Sequence, residues 1–207
     1  MLGRLSRFFT SMPSANLQNQ HGSAALTQSG AQPDLAVFAA GCFWGVEHIF
    51  LKHYPIAENK GILSTAVGYT GGRAAKVNYT QVCSGETGHA EALKIEFDPE
   101  VVSYKELVNF FFCTHDPTTE DRQGNDFGSQ YRSAIFYVDD KQKSIAEEVR
   151  DEVQKEHFTP IGKTICTTLE PFKKDGWFNA EDYHQEYLHK NPGGYQCSTH
   201  RLHWEMK

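Results

Sequence analysis

The chain has 207 residues, 39% hydrophobic and 22% charged, with a mean hydropathy of −0.54, enough to bury one sizeable core. A formal net charge of −6 and a pI near 5.9 argue against a nucleic-acid surface, because phosphate binding needs clustered Lys and Arg. No run approaches the roughly 18 apolar residues of a membrane helix, so neither nucleic acid nor membrane is expected as a partner. The five cysteines, Cys42, Cys83, Cys113, Cys166 and Cys197, are odd in number, irregularly spaced and without a C-x-x-C pair. That pattern speaks against a secreted disulfide framework or a zinc site and fits reduced thiols.

The first 33 residues contain no Asp or Glu, carry Arg4 and Arg7, and are rich in Ser, Gln and Asn. They read as a disordered leader over 1–33, either a mitochondrial transit peptide or a dispensable tail. A cytoplasmic location is expected, with mitochondrial targeting by the leader as the alternative. A single domain is expected over 34–207, ending in an irregular arm over 171–207.

The apolar run 35–40 predicts a buried strand, and helical spacing of apolar residues predicts a helix over 43–54. A second strand is expected over 62–69, closed by the turn Thr70-Gly71-Gly72-Arg73. A loop over 76–90 leads to an alternating strand over 91–97, which Asp98-Pro99 ends. The helix over 104–113 begins at Ser103, with Glu106 placed to complete a capping box. A polar loop over 114–132 is long enough to suggest function. A strand over 134–138, a charged helix over 140–157 and a strand over 164–169 follow. This β-α-β-β-α-β-α-β order predicts an α+β fold, a two-layer sandwich with a mixed sheet and a ferredoxin-like core.

Gly41-Cys42-Phe43-Trp44-Gly45 stands at the junction of the first strand and helix. At a helix N-terminus free N–H groups and the macrodipole favour an anion, so the Cys42 thiol is expected to ionise readily, unless it is a small buried core residue. A thiolate there can attack an acyl carbonyl, a disulfide or an oxidised sulfur. Attack on a sulfoxide needs an acid for the departing oxygen, an apolar pocket for a methyl group and a second thiol afterwards. Glu91 starts a strand whose neighbouring side chains face the core, and a carboxyl in apolar surroundings keeps its proton; the alternative is an exposed edge carboxylate. Tyr79 and Tyr131 lie in polar loops and can donate phenolic hydrogen bonds or merely pack. Asp126 is by default a turn former. Cys197, beyond Asn191-Pro192-Gly193-Gly194, is either a thiol free to swing to Cys42 or an inert surface thiol. Cys113 and Cys166 read as buried filler.

With these motifs in this order, the chain resembles the A-type peptide methionine sulfoxide reductases from about Val37 to Leu202. Carrying the resemblance are Gly41-Cys42-Phe43-Trp44-Gly45, Val67-Gly68-Tyr69-Thr70-Gly71-Gly72, Tyr79, and Val82-Cys83-Ser84-Gly85-Glu86-Thr87-Gly88-His89-Ala90-Glu91. His115-Asp116-Pro117, Gln123-Gly124-Asn125-Asp126, Gln130-Tyr131-Arg132-Ser133, Tyr183-His184-Gln185 and Lys190-Asn191-Pro192 complete it. The resemblance implies that Cys42 attacks the sulfoxide sulfur, with Phe43 and Trp44 holding the methyl group and Glu91, Tyr79 and Tyr131 serving the oxygen. It implies that Asp126 assists substrate or reductant handling, and that Cys197 resolves a Cys42 sulfenic acid into a disulfide which thioredoxin, or dithiothreitol, reduces. It further implies action on the S epimer of methionine sulfoxide, free or in proteins, as repair of oxidative damage, with no metal or organic cofactor. A monomer is expected. With one cysteine after Asn191-Pro192, a single resolving step is expected. Two rivals remain at this point: a cysteine hydrolase using one of ten His, and a metal- or redox-binding module using His184, His189, Cys197, His200 and His203.

Overall fold

The computed structural model describes residue 30 and residues 32–206, so the leader expected over 1–33 falls, apart from residues 30, 32 and 33, outside the described residues. In chain order the elements are β1 (Asp34–Ala40), α1 (Phe43–His53), β2 (Ile62–Thr70), α2 (Tyr79–Cys83), β3 (Ala90–Phe97), α3 (Tyr104–Cys113), β4 (Arg122–Gln123) and β5 (Asp126–Phe127). Then follow β6 (Ser133–Tyr137), α4 (Asp140–Val153), β7 (Thr168–Pro171), β8 (Phe178–Asn179) and α5 (Tyr187–Lys190). Six strands form one sheet in the order β7-β6-β1-β3-β2-β8, while β4 and β5 pair as a separate hairpin. All neighbours in the sheet are antiparallel except β6 and β7, so the sheet is mixed and the fold α+β, as the sequence predicts.

Strand alternation divides the core. Phe38, Leu93, Ile95, Phe97 and Ile135 face one way and join the apolar stripes of α1, α3 and α4. Phe38 lies between Phe50 of α1 and Phe111 of α3, at centroid distances of 5.7 and 5.1 Å. Each such fully buried ring contributes about 1.5–3 kcal/mol of burial free energy. The opposite face carries smaller residues, Val37, Ala39, Ala90, Ala92 and Ala134 with Phe136, covered by Leu35, Phe172 and Trp177.

Four local expectations are corrected. The loop over 76–90 contains α2, begun by a full capping box between Asn78 and Gln81. At Ser103 only half the expected box forms: its hydroxyl accepts from Glu106 N–H at 3.1 Å, but the Glu106 carboxylate accepts from Tyr54 at 3.0 Å instead. The helix expected over 140–157 is α-helical to Val153 and continues as a π-turn over Gln154–Phe158. The strand expected over 164–169 begins at Thr168. Its upstream N–H groups are taken elsewhere, Ile165 by the Gln154 side chain and Cys166 by Pro117 O, both at 2.8 Å.

The region after 171 is irregular but firmly tied. The Gln185 side chain accepts from Val67 N–H and donates to Val67 O and Ala180 O, extending the edge at β2 much as a strand would.

Candidate active site

Everything converges where β1 gives way to α1. Gly41 has φ +89°, a conformation that L side chains rarely adopt, and a Cβ there would stand 2.5 Å from Gln123 Cβ. The turn sets Cys42 at the N-cap of α1, with 8% of its surface exposed. On β3, Glu91 shares the phase of Leu93, Ile95 and Phe97 and so points into the helix-covered face, 1% exposed. Its Oε2 accepts the Phe43 N–H at 3.1 Å, linking the acid to the first turn of α1. Burial, with a smaller contribution from Asp126, pushes the Glu91 carboxyl up to about 8, against the pull of that N–H. Glu91 is therefore largely protonated at neutral pH.

The thiol does not behave as the helix terminus alone predicts. Burial first, and the Glu91 charge second, raise the Cys42 pKa far above the ordinary thiol range. The N–H groups of Trp44 and Gly45 pull it down by less. In the free site Cys42 is a thiol.

Aromatic rings cluster around the first turn of α1, next to Cys42. Phe43 packs on Tyr69 and His184 at 5.9 and 5.2 Å. Trp44 stacks on Tyr187 at 3.8 Å and donates its indole N–H to His184 Nδ1 at 3.0 Å, so His184 carries its proton on Nε2. Glu181 accepts from Tyr79 N–H at 3.0 Å and from Tyr69 OH at 2.9 Å, and lies 3.9 Å from His184 Nε2. Tyr79 hydrogen-bonds the Cys83 thiol, and both Tyr79 and Tyr131 lie close enough to Glu91 and Cys42 to feel those groups whenever they ionise. Burial leads in raising both tyrosines, which remain phenols and hydrogen-bond donors at neutral pH.

Asp126, on β5, accepts from Tyr195 OH at 3.0 and 3.1 Å and hydrogen-bonds Cys197. Cys197 is not the exposed thiol of a loose arm. It is 2% exposed, 3.4 Å from Gln123 O and 3.1 Å from Thr199 Oγ1, and a Cβ on Gly124 would stand 2.7 Å from its sulfur. All five cysteines are free. Cys113 is buried, whereas Cys166 is only partly so. Cys42, Phe43, Trp44, Tyr79, Glu91, Asp126, Tyr131 and Cys197 thus form one neighbourhood, drawn from the start of α1, α2, β3, the hairpin, the short turn Ser129–Tyr131 that follows it and the C-terminal segment.

Three residues of this neighbourhood escape sequence reasoning: Glu181 and Tyr187 as partners of the aromatic cluster, and Tyr195 on Asp126; His200, read from the sequence only as a candidate metal or redox ligand, has a packing role that was missed. The His200 Nε2 bonds Ala40 O at 2.7 Å, and its ring lies where a Cβ on Gly45 would have to go. A signal existed for His200, since a glycine in the first turns of a helix costs about 1 kcal/mol relative to Ala and calls for a close neighbour. Among the described residues no His hydrogen-bonds Cys42, as a hydrolase base would, and no group of three or more His, Cys, Asp or Glu is placed to hold a metal ion.

Comparison with known proteins agrees with this geometry. Residues 34–206 match the family model described as peptide methionine sulfoxide reductase. The chain belongs to that family. A probable peptide methionine sulfoxide reductase of Schizosaccharomyces pombe is 52% identical over 172 residues, 83% of this chain and 98% of the relative. The peptide methionine sulfoxide reductase MsrA of Escherichia fergusonii is 45% identical over 186 residues, 90% and 84% of the two chains. Among solved structures, Saccharomyces cerevisiae Mxr1 in reduced form superposes with a TM-score of 0.74 at 41% identity, covering 82% of this chain and 92% of Mxr1. The same protein in complex with Trx2 gives 0.53 at 28% identity, covering 82% and 89%. The protein is an oxidoreductase of the A type, a peptide methionine sulfoxide reductase.

Proposed function

We propose that the protein reduces the S epimer of methionine sulfoxide, free or within proteins, through a Cys42 sulfenic acid and a Cys42–Cys197 disulfide recycled by thioredoxin. One observation carries the reading most: a thiol at a helix start is tied, through the Phe43 N–H, to a buried carboxyl that is still protonated at neutral pH. That pairing supplies a nucleophile for sulfur and a proton for oxygen in one site.

The methyl group of the sulfoxide packs on Phe43 and Trp44, and its oxygen accepts hydrogen bonds from Glu91, Tyr79 and Tyr131. With Glu91 neutral and engaged by the oxygen, its charge no longer opposes ionisation of Cys42, and the N–H groups of Trp44 and Gly45 favour the thiolate. The Cys42 sulfur attacks the sulfoxide sulfur while Glu91 protonates the oxygen and recovers the thiol proton. The products are the thioether and Cys42 sulfenic acid. The Cys197 thiol then attacks that sulfur, forming the disulfide and releasing water. A dithiol restores both thiols with two electrons and two protons. Asp126, held by Tyr195 and hydrogen-bonded to Cys197, assists substrate or reductant handling. No step calls for a metal or organic cofactor. The Mxr1–Trx2 complex supports thioredoxin as the reductant here.

The test is turnover of racemic N-blocked methionine sulfoxide with dithiothreitol, the residual substrate being resolved on a chiral column. Loss of about half, all of it the S epimer at sulfur, is expected; loss of both epimers alike would overturn the stereochemical reading. In a stoichiometric assay Cys42→Ser is expected to reduce nothing. Cys197→Ser is expected to reduce about one equivalent and then stall with thioredoxin. Sustained thioredoxin turnover by Cys197→Ser would remove that residue from the cycle.

A further inference from the structure

Building on the thioredoxin-recycling reading above, we propose that the β4–β5 hairpin is the docking face for the protein dithiol, with Phe127 as apolar anchor and Arg122 beside it. Position is the first ground. Cys197 lies against Gly124 and 3.4 Å from Gln123 O, at the turn of this hairpin, and Phe127 pairs in register with Arg122, the neighbour of Gln123. Both sulfurs are enclosed, Cys42 8% and Cys197 2% exposed, but Cys197 is the one lying against the hairpin, so in this proposal it is the sulfur that an outside thiolate attacks. That thiolate forms a disulfide with Cys197 and expels Cys42 as a thiolate, which takes up a proton. The second thiol of the partner then attacks the mixed disulfide, expelling Cys197 and leaving the partner oxidised by two electrons. Transient redox complexes bury less than about 1,200 Å² in total, or about 600 Å² on each side. A patch of that size centred on Cys197 cannot avoid the hairpin.

Composition is the second ground. Phe127 is 63% exposed, and among the described residues no other phenylalanine is exposed. The Arg122 guanidinium lies 4.2 Å from the ring centroid and is fixed by donating from Nε to Gly124 O at 2.8 Å. Tyr195, 45% exposed, joins the same region through Asp126. Aromatic residues and Arg are the types enriched at interface centres, where a few side chains carry most of the affinity. A ring already stacked on a pinned Arg also loses little freedom on binding.

Steady-state turnover is measured with thioredoxin, thioredoxin reductase and NADPH, varying thioredoxin, and in parallel with dithiothreitol, for wild type, Phe127→Ser and Phe127→Tyr. Phe127→Ser is expected to raise the KM for thioredoxin about tenfold, leaving kcat and dithiothreitol turnover unchanged, while Phe127→Tyr restores the KM. An unchanged KM for thioredoxin in Phe127→Ser overturns the proposal. So does a matching loss with dithiothreitol, which would put Phe127 in the reaction site and not on a docking face. If wild type turns over with dithiothreitol but not with thioredoxin, the recycling reading itself fails.

Discussion

Glu91 is where the chemistry and the electrostatics meet most directly. Its acid form predominates below about pH 8, so a step that needs its proton should run below that pH and fade as pH rises through it. Single-turnover reduction by wild type is expected to fall on that limb. Glu91→Gln should be slower at pH 7 by about 10²- to 10⁴-fold, the usual worth of a general acid, and should lack the limb. A limb retained in Glu91→Gln would assign it to another group. The same substitution acts on the thiol, since the Glu91 charge raises Cys42. Alkylation of Cys42 by iodoacetamide is expected to shift to lower pH in Glu91→Gln. The buried position of Glu91 was legible in the sequence, because it continues the inward phase of Leu93, Ile95 and Phe97. The protonation state of Cys42 was not legible: it depends on how completely β3, α1 and the hairpin enclose the sulfur, which no local pattern carries.

At the scale of elements, the strands and helices with clean periodicity, β1, α1, β2, β3, α3 and β6, fall where the sequence puts them. Those that moved did so because side chains compete for backbone groups. Gln154 takes the Ile165 N–H and so delays β7, and Tyr54 takes the Glu106 carboxylate and so undoes half of the expected cap. The C-terminal segment was hardest to read, because its order comes from single contacts on distant elements and not from repetition. His200 on Gly45 is the clearest of these contacts and gives a prediction. Helix propensity alone would have Gly45→Ala stabilise α1 by about 1 kcal/mol. The added methyl, however, must displace the His200 ring, loosening the segment that holds Cys197. Gly45→Ala is expected to lower the thermal midpoint, to raise the reactivity of Cys197 toward an aromatic disulfide reagent and to slow closure of the Cys42–Cys197 disulfide. A stabilised variant with wild-type Cys197 reactivity would show that the contact is slack.

For the whole molecule, buried titratable groups set opposing pH slopes. His115 is fully enclosed: its Nδ1 bonds Phe111 O at 2.7 Å, and its Nε2 bonds Ser133 Oγ at 2.8 Å, with Thr167 Oγ1 a further 2.7 Å on. Since the carbonyl can only accept, Nδ1 carries the proton and Nε2 accepts from Ser133, so the neutral ring fastens α3, β6 and the approach to β7. Burial pushes His115 down to about 3 and His200 down to about 4. Between those values and the unfolded value near 6.5 the unfolded chain binds more protons, so the stability they contribute is full above about 6.5 and is lost as pH falls. Glu91 and Glu47, raised chiefly by burial, act the other way: the folded chain holds more protons, and stability declines as pH rises from about 4.5, through about 8 for Glu91. The thermal midpoint of wild type is therefore expected to peak between these limbs, near pH 6 to 7. His115→Gln can keep one donor and one acceptor in place but cannot titrate. It should be less stable than wild type at pH 7 by about 1–3 kcal/mol, and the gap should narrow steadily toward pH 4. Calorimetric scans of both proteins over that range decide the matter. A gap that stays constant with pH would mean that the acid limb belongs to groups other than His115.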